Sequence, residues 1–375
     1  MTLQAKGMLD GVKILDLSRL LPGPACTWYL SEQGAEVISV EPPKPSLTRL
    51  APPHVMSKNG KVGSYFHALH GGKKSICLQL RHEAARAVIL KLVEHCDVLV
   101  EGFKPGTLEK MGLSPKVLHT HNPQLIIARI SGYGQTGPLA SSPGHDINYL
   151  AHAGVLAGAP SGSNGHALYS LQIADLSGAM TAALGICAAL YERSTTRVGR
   201  VLDISLCESA LSFLTPHFQG TVFSGEEPSP AGELLNGGVP QYRSYECSDA
   251  RWLSLGALEP KFFQRAKEVL GNNPQLWAEQ IKKEPLSHWV KVLSDACAAP
   301  VLSYAELVEH PQHRARGSIQ TDSDGISWIR APFFNGPPKG APILGEHGID
   351  ILSCYFSSDE IDQLLQSKTL ITPPS

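Results

Sequence analysis

The sequence predicts an α/β fold with a mostly parallel sheet, followed by a smaller α+β domain. Short apolar runs of strand length alternate with helix-length stretches through the first half of the chain. This alternation is typical of a parallel sheet with helices on both faces. The 375 residues suggest two to three domains at about 150 residues each. Since 42% of the residues are hydrophobic and 18% are charged, the chain can form a buried core.

The strands of the first half are predicted from their apolar runs. A strand at residues 12–17 precedes a Pro-Gly-Pro loop at 22–24, and a helix then extends to residue 33. Further strands are predicted at 35–40, 75–80, 98–100 and 125–130, with a helix at 83–95.

A dinucleotide site is one possible use of such a sheet, because Glu41 ends the second strand, where a ribose-binding acid would lie. The first turn argues against it. Residues 20–24 read Leu-Leu-Pro-Gly-Pro and lack the glycines of a G-x-G-x-x-G motif. We therefore expect a ligand other than NAD or FAD.

The second half of the chain has a separate organisation. After a strand at 200–205 and a helix to 213, residues 214–237 are rich in Gly, Pro and Glu and are interpreted as a linker. A small domain is predicted at 238–325, with a strand at 252–255 and helices at 261–270 and 288–297. Residues 326–375 are expected to form a second linker and to return to the large domain at 1–213.

Composition and spacing exclude several classes of function. With 32 Lys+Arg against 34 Asp+Glu, no nucleic-acid partner is expected. The apolar run at 176–191 is shorter than the roughly 20 residues of a membrane span, so no membrane partner is expected. The eight cysteines show no metal-site spacing, so we expect reduced thiols and no bound metal. No signal or peroxisomal sequence is recognisable, and we expect a cytoplasmic protein.

Three acid/base positions are candidates for chemistry. His145 and Asp146 open a probable helix, where Asp146 is expected to act as its cap. Asp175 precedes an apolar helix and fits an N-cap, which would also lie beside free N–H groups. Glu259 follows a predicted strand and fits a solvated carboxylate. Local sequence alone leaves capping and catalysis open at each position.

Several ordered motifs resemble those of the family III CoA-transferases over nearly the whole chain. They are LDGVKILDL at 9–17, GP at 23–24, GAEVISVE at 34–41, GKKSI at 72–76 and VEGFKPG at 100–106. The resemblance implies a Rossmann-like large domain and an acyl-CoA thioester substrate, with CoA as part of the substrate and no separate cofactor. It also implies an interlocked homodimer with the active site between the large domain of one chain and the small domain of the other.

Three segments are similar to the α-methylacyl-CoA racemase branch of this family. They are GHDINY at 144–149, GALEP at 256–260, and DAC at 295–297 followed by PVL at 300–302. The resemblance implies that His145 and Asp175 are the catalytic pair and that Glu259, from the other subunit, orients His145. The implied reaction inverts the α-carbon of a 2-methylacyl-CoA through an enolate.

Two other functions stay open. In the transferase branch the residue aligned with Asp175 is a covalent nucleophile, and CoA moves between carboxylic acids. The other alternative is a catalytically inactive acyl-CoA-binding protein, although the presence of both His145 and Asp175 argues against it.

The residue types fit inversion of an acidified C–H bond. One group must remove the α-proton from one face and another must return a proton to the opposite face. Histidine titrates near pH 6.5, whereas aspartate, near 3.9, needs burial or a neighbouring carboxylate to hold a proton at neutral pH. We expect N–H groups at the start of the Asp175 helix to stabilise the enolate oxygen.

The resemblance also implies a set of residues that contact the substrate, with Tyr149 lining the acyl pocket. The full set is Leu20, Leu21, Pro22, Gly23, Lys73, Lys74, Phe103, Lys104, Gly106, Asp146 and Tyr149. Ser39 stands where the family usually has Lys or Arg, and Lys104 replaces a frequent Arg, so phosphate contacts are expected to be fewer or displaced. Residues 51–62 match no motif and are expected to shape the acyl pocket or cover the CoA entrance.

Overall fold

A computed structural model describes residues 7–57, 60–162, 165–334 and 336–373, and these form two compact units. The first unit comprises the described parts of Met1–Ala153, Leu171–Phe213 and Gln312–Ser375. The second comprises the described parts of Gly154–Ser170 and Leu214–Pro311.

The helices and strands are numbered in chain order. The helices are α1 (Pro22–Glu32), α2 (Leu47–Leu50), α3 (Ser64–His70), α4 (Glu83–Val93), α5 (Thr107–Lys110), α6 (Pro115–His121), α7 (Asp146–His152), α8 (Ile173–Thr196), α9 (Leu206–Ser212), α10 (Thr215–Ser224), α11 (Pro260–Leu270), α12 (Trp277–Ile281), α13 (Leu286–Val292), α14 (Tyr304–Glu309), α15 (Pro311–Arg316), α16 (Gly348–Leu352) and α17 (Ser358–Gln366). The strands are β1 (Lys13–Asp16), β2 (Glu36–Glu41), β3 (His54–Ser57), β4 (Gly60–Gly63), β5 (Lys74–Leu78), β6 (Val98–Glu101), β7 (Ile126–Ser131), β8 (Ser161–Gly162), β9 (Gly165–His166), β10 (Val201–Ser205), β11 (Tyr242–Glu246), β12 (Trp252–Gly256), β13 (Ala298–Pro300), β14 (Ile319–Thr321), β15 (Ser327–Ile329) and β16 (Leu370–Ile371).

The first unit is built on a seven-stranded sheet in the order β10-β7-β6-β1-β2-β5-β16. All neighbouring strands are parallel except β16, which pairs antiparallel with β5. The predicted α/β class with a mostly parallel sheet is therefore confirmed.

Side chains alternate between the two faces of this sheet, and both faces are buried. Leu15, Ile38, Ile76, Leu99 and Ile127 lie on one face and pack in a core with apolar residues of α4, α6, α16 and α17. On the other face, α1 packs against α8 and β1, while α8 packs against β7 and β10. Burial of both faces explains why the strands are nearly continuous apolar runs.

The start of α1 differs from the prediction. Residues 22–24 belong to the helix and not to a loop, because a proline at the first helical position needs no N–H partner and already has a helical φ. The first turn of α1 thus begins six residues after β1 ends at Asp16.

The helix α8 is longer than the apolar run at 176–191 from which it was predicted. It spans 24 residues and, by length and composition alone, could cross a membrane. The predicted run of 16 residues was therefore too short. Seven of its residues are buried, and it packs against α1 and α9, as the core helices of globular domains also do.

The second unit contains an antiparallel sheet in the order β11-β12-β13, packed with α11, α12 and α13. Trp277 and Trp289 are buried at its centre, and their indole N–H groups donate to the carbonyls of Gly271 and Ile281 at 2.8 Å. Because each indole N–H has a hydrogen-bond acceptor, these large rings fill the core without an unpaired polar atom.

The unit boundaries differ from the prediction in three places. Gly154–Ser170 belongs to the second unit, the supposed linker at 214–237 carries α10, and the second unit ends at Pro311 instead of 325. The β14–β15 hairpin consequently belongs to the first unit. Local composition does not show these boundaries, because they depend on which elements pack together.

Candidate active site

A carboxylate from α7 caps the start of α8. The Asp146 Oδ1 atom accepts hydrogen bonds from the N–H groups of Ala174 at 2.7 Å and Asp175 at 3.1 Å. The N-cap residue of α8, Gln172, makes no side-chain cap of its own. The predicted caps are therefore wrong: Asp175 lies inside the first turn, and Asp146 caps the neighbouring helix instead of its own.

Asp175 is poised to hold a proton near neutral pH. Burial of its carboxyl group, followed by the charge of Asp146, raises its pKa from 3.8 to about 7. Both causes disfavour the charged carboxylate. An aspartate that exchanges protons at neutral pH needs such an environment.

This raised pKa predicts an effect on stability. Because Asp175 binds its proton more tightly in the folded chain, its ionisation reduces the free energy of unfolding as pH rises from about 4 to 7. Asp175→Asn cannot ionise, so we expect it to be more stable than the wild type by about 1 to 3 kcal/mol at pH 8. We expect little difference at pH 4. Urea unfolding at both pH values measures this, and equal wild-type and variant stabilities at pH 8 would contradict it.

His145 is the N-cap residue of α7 and is exposed to solvent. Its backbone N–H donates to Asn148 Oδ1 at 3.0 Å, which fixes the start of the helix. The next residue along the chain, Asp146, binds the first turn of α8. The structure therefore brings the His145 segment and the Asp175 helix together through Asp146.

Tyr149 lies beneath this segment. Its hydroxyl donates to the Gly144 carbonyl at 2.6 Å, and burial together with the Asp175 charge raises its pKa to about 12. Side chains at Gly132 or Gly144 would overlap the Tyr149 ring, since a Cβ atom there would lie within 2.7 Å of it. These glycines thus allow the loop after β7 and the loop before α7 to pack against the Tyr149 ring.

Tyr65, a half-exposed residue in the first turn of α3, also lies near the acidic residues and was not predicted from the sequence. Burial and the negative charges of Asp175 and Asp146 raise its pKa to about 12. The Tyr65 hydroxyl therefore lies close enough to these two carboxylates to be affected by their charge. Tyr65 follows the motif-free segment at 51–62, whose described residues include parts of the β3–β4 hairpin. No pattern in the sequence marks this tyrosine.

Glu259 lies in the second unit as the N-cap residue of α11, and its backbone carbonyl accepts from the N–H groups of Phe262 and Phe263. Its side chain makes no cap bond and is exposed. The predicted contact with His145 of another subunit stays a prediction.

Lys73 is enclosed by the first unit and already has hydrogen-bond partners. Its side chain is completely buried, and its Nζ donates to Thr27 Oγ1 at 2.7 Å and to the Pro24 carbonyl at 2.9 Å. The Asp16 carboxylate lies 3.7 Å away. Burial lowers the pKa of Lys73 to about 8, against the opposing effect of Asp16. The enclosed ammonium group cannot reach a phosphate in this arrangement, so Lys73 supports the loop instead.

Lys74 is also displaced from the predicted CoA loops. It begins β5 and pairs with Glu36, the first residue of β2, at 2.9 Å. Both residues line a cleft of about 460 Å³ at the amino edge of the sheet, opposite the carboxyl ends of β1 and β6. Lys74 therefore does not share an edge with the other predicted CoA contacts.

The remaining predicted CoA residues follow two adjacent strands. Leu20, Leu21, Pro22 and Gly23 follow β1, and Phe103, Lys104 and Gly106 follow β6. Since β1 and β6 are parallel neighbours, both loops lie at the carboxyl edge of the sheet. Ligands of open α/β sheets commonly bind at this edge.

Ser39 and Arg49 have structural contacts. Ser39 is buried, with its Oγ 3.5 Å from His70 Nδ1. Arg49 makes a bidentate ion pair with Glu41 at 2.7 and 3.0 Å and lies over the Phe66 ring. Neither is available to an external phosphate. Among the residues that the structure describes, no cluster of three or more His, Cys, Asp or Glu side chains forms a metal site.

Comparisons of the chain with known proteins point to one family. The profile of CoA-transferase family III matches residues 9–348. The chain is 34% identical to the α-methylacyl-CoA racemase of Homo sapiens over 96% of this chain and 97% of that protein. It is 32% identical to the acetyl-CoA:oxalate CoA-transferase of Acetobacter aceti over 92% and 94% of the two chains.

A solved structure has the same fold. The crystal structure of a CaiB/BaiF family protein from Brucella suis superposes with a TM-score of 0.85 and 26% identity. The match covers 94% of this chain and all of that one. The sequence resemblance is thereby confirmed, and the chain belongs to CoA-transferase family III.

Proposed function

We propose that this protein is an α-methylacyl-CoA racemase. The observation that carries the proposal is the Asp146 bridge, which joins the His145 segment to α8 and helps to raise the pKa of Asp175 to about 7. A protonated carboxyl suits proton return and is a poor nucleophile. The human racemase, at 34% identity, supports the same choice.

In this mechanism His145 and Asp175 act on opposite faces of the α-carbon. One removes the proton made acidic by the thioester carbonyl, and the other delivers a proton to the opposite face. The roles exchange with the handedness of the substrate. Asp175 performs both because its pKa lies near neutral pH.

Two of the predicted donors for the enolate oxygen already have an acceptor. The N–H groups of Ala174 and Asp175 already donate to Asp146, so they do not serve this purpose. Within the described residues, the first-turn N–H groups of Asp146 and Ile147 in α7 have no acceptor. We assign the enolate oxygen to these two amides, which lie directly beside His145.

The proposal includes an assembly and a location. The assembly is a homodimer in which Glu259, a residue of the second unit, orients His145 of another copy, a residue of the first unit. The substrate supplies CoA, no separate cofactor or metal takes part, and nucleic acid and membranes are not partners. The expected compartment is the cytoplasm.

The direct test follows the α-proton by NMR in deuterated water, with a 2-methylacyl-CoA and no free carboxylic acid. We expect α-deuterium incorporation together with loss of stereochemical purity. If exchange is absent but an added carboxylic acid receives CoA, the protein is a transferase with Asp175 as nucleophile. If CoA esters raise the thermal stability but neither reaction occurs, the protein is an acyl-CoA-binding protein.

Asp146→Asn tests the electrostatic part of this proposal. The amide can still accept from Ala174 and Asp175, but it removes the negative charge that helps to raise the pKa of Asp175. The catalytic pair must hold one proton, so the pH profile of kcat/KM is expected to be bell-shaped. Since the variant lacks the Asp146 charge, we expect the acidic limb of its kcat/KM profile to lie about one pH unit lower than in the wild type.

Asp203→Asn is the matched control for this variant. Asp203 also accepts a backbone N–H, that of Gln135 at 3.0 Å, but it does not contribute to the pKa of Asp175. An unshifted profile for Asp146→Asn, or an equal shift for both variants, would show that Asp146 does not tune the catalytic acid.

A further inference from the structure

The amino-edge cleft, a space of about 460 Å³, lies at the amino ends of β1, β2 and β5. Lys13, Glu36 and Lys74, the first residues of these strands, line it. The helix α8 ends just before β10 begins, so its first turn, with Asp175, lies toward the opposite edge of the sheet. A volume of this size is typical of small-molecule sites. The amino-edge cleft is thus a candidate site separate from the proposed active site.

The walls of the cleft come from segments that are far apart in the chain and are fixed to one another. Arg330, whose side chain is 2% exposed, pairs with Glu32 at the end of α1, at 2.8 and 3.1 Å. A Cβ atom at Gly71 would lie 2.5 Å from the Lys339 carbonyl oxygen, so glycine lets the Lys339 segment approach the turn before β5 closely. The cleft is therefore formed before any ligand binds, which reduces the entropy lost on binding.

Basic side chains outnumber acidic ones in the lining of the cleft. The charged residues that line it are Lys13, Lys74, Arg330, Lys339, Asp10, Glu32 and Glu36. Arg330 and Lys74 each pair with a glutamate of the lining, at 2.8 and 2.9 Å. Lys13 is half-buried and Lys339 is exposed, and neither makes an ion pair with another described residue. Two ammonium groups are therefore available to an anionic ligand.

Backbone donors add to these two lysines. Gly11 and Gly71 line the cleft, and within the described ranges their N–H groups have no acceptor. A Cβ atom at Gly11 would have nothing within 4 Å of it, so a ligand has room to approach the backbone there. Ammonium groups combined with free backbone N–H groups are donors that proteins commonly use to bind phosphate.

The remaining lining residues indicate how polar the ligand is. Apart from Ala35 and Pro337, every lining residue is charged or is a glycine or serine. Among the described residues, no aromatic ring lines the cleft for a nucleotide base to stack on, and no large apolar side chain lines it for an acyl chain. The cleft therefore fits a small polar anion and not a nucleoside or a fatty acid.

We propose that the amino-edge cleft binds phosphate, either as the free anion or as the ester of a small polar molecule. Lys13, Lys339 and the N–H groups of Gly11 and Gly71 bind the phosphate oxygens. The ligand joins β1, the turn before β5 and the segment that contains Lys339, so its binding stabilises the first unit against unfolding. This site is independent of which reaction the protein catalyses.

The experiment titrates the full chain with inorganic phosphate, glycerol 3-phosphate and glycerol by calorimetry, with and without an excess of CoA. Lys13→Gln and Lys339→Gln each remove one cation of the cleft, and Lys116→Gln is the matched control. Lys116 is an exposed lysine of α6 that does not line the cleft. Thermal unfolding without phosphate checks that each variant remains folded.

Wild type is expected to bind inorganic phosphate, glycerol 3-phosphate or both, but not glycerol, with the same Kd whether or not CoA is present. Lys13→Gln and Lys339→Gln should each raise that Kd by about 10- to 100-fold, because each removes a charge-assisted hydrogen bond. Lys116→Gln should leave it unchanged. Tighter binding of inorganic phosphate assigns the free anion, whereas tighter binding of glycerol 3-phosphate assigns an ester; both support the proposal.

Absence of phosphate binding by wild type would overturn the proposal, as would equal Kd values for wild type and Lys339→Gln or an equal increase in Lys116→Gln. Loss of phosphate binding in the presence of CoA would also overturn it, because phosphate would then occupy the CoA site. If Lys13→Gln does not fold, the exposed Lys339 decides alone. The proposed function fails separately, in the α-proton exchange experiment, and that failure leaves these titrations unaffected.

Discussion

His145→Ala and Asp175→Ala are each expected to lower the rate of racemisation by about two to four orders of magnitude, the range for loss of a general acid or base. In the proposed mechanism each variant lacks the group that works on one face of the α-carbon, so inversion cannot be completed. The residues proposed to contact CoA are other residues of the first unit, so Kd for CoA should change little. Chiral analysis of the thioester and calorimetric titration on the same samples separate chemistry from binding.

His152→Ala is the matched control for the histidine. His152 is exposed at the other end of α7 and contacts Tyr133 edge to face, with ring centres 5.4 Å apart. It should keep a nearly wild-type rate of racemisation. Racemisation that survives in His145→Ala and is lost only in Asp175→Ala would contradict the two-base mechanism. If Asp175→Ala also loses CoA transfer to an added acid, Asp175 is the nucleophile of a transferase.

The strands of the sheet could be predicted because each one is marked by its own short segment of sequence. Strands such as β6 and β7 are buried on both faces, so they are short apolar runs bounded by turn residues. Local composition predicted a linker where α10 forms, and it predicted that Gly154–Ser170 belongs to the large domain, whereas this segment lies in the second unit. These assignments depend on contacts between residues far apart in the chain, which local composition does not report.

The site was predicted only in part for a similar reason. Local sequence left His145 and Asp175 open between capping and catalysis, and the resemblance to a family selected catalysis. The bond from Asp146 to Ala174 joins residues 28 positions apart, so no local pattern predicts it. Lysine in a loop normally indicates a solvated or phosphate-binding side chain. The burial of Lys73 is an exception that arises from the packing of β1, α1 and β5.

Lys73→Met is expected to reduce the free energy of unfolding at pH 7 by about 3 to 5 kcal/mol, the cost of removing one partner from a buried ion pair. Methionine has a similar length but donates no hydrogen bond to Thr27 or to the Pro24 carbonyl. It also leaves the Asp16 carboxylate, which is completely buried, without a cation. Urea unfolding of the full chain measures the change.

A double variant identifies the buried carboxylate as the cause. The Asp16 carboxylate is buried, so its charge is costly without a neighbouring cation. Adding Asp16→Asn removes the unpaired charge and should recover part of the loss.

Lys74→Met separates burial from charge, because the two lysines are adjacent and receive the same substitution. The side chains of Lys74 and its partner Glu36 are 39% and 40% exposed, so water screens this pair and its loss should cost less than about 1 kcal/mol. If Lys73→Met costs no more than Lys74→Met, the Asp16 and Lys73 pair does not hold the Ser18 to Gly23 turn in place. If the loss is large and adding Asp16→Asn recovers none of it, packing and not the buried carboxylate accounts for it.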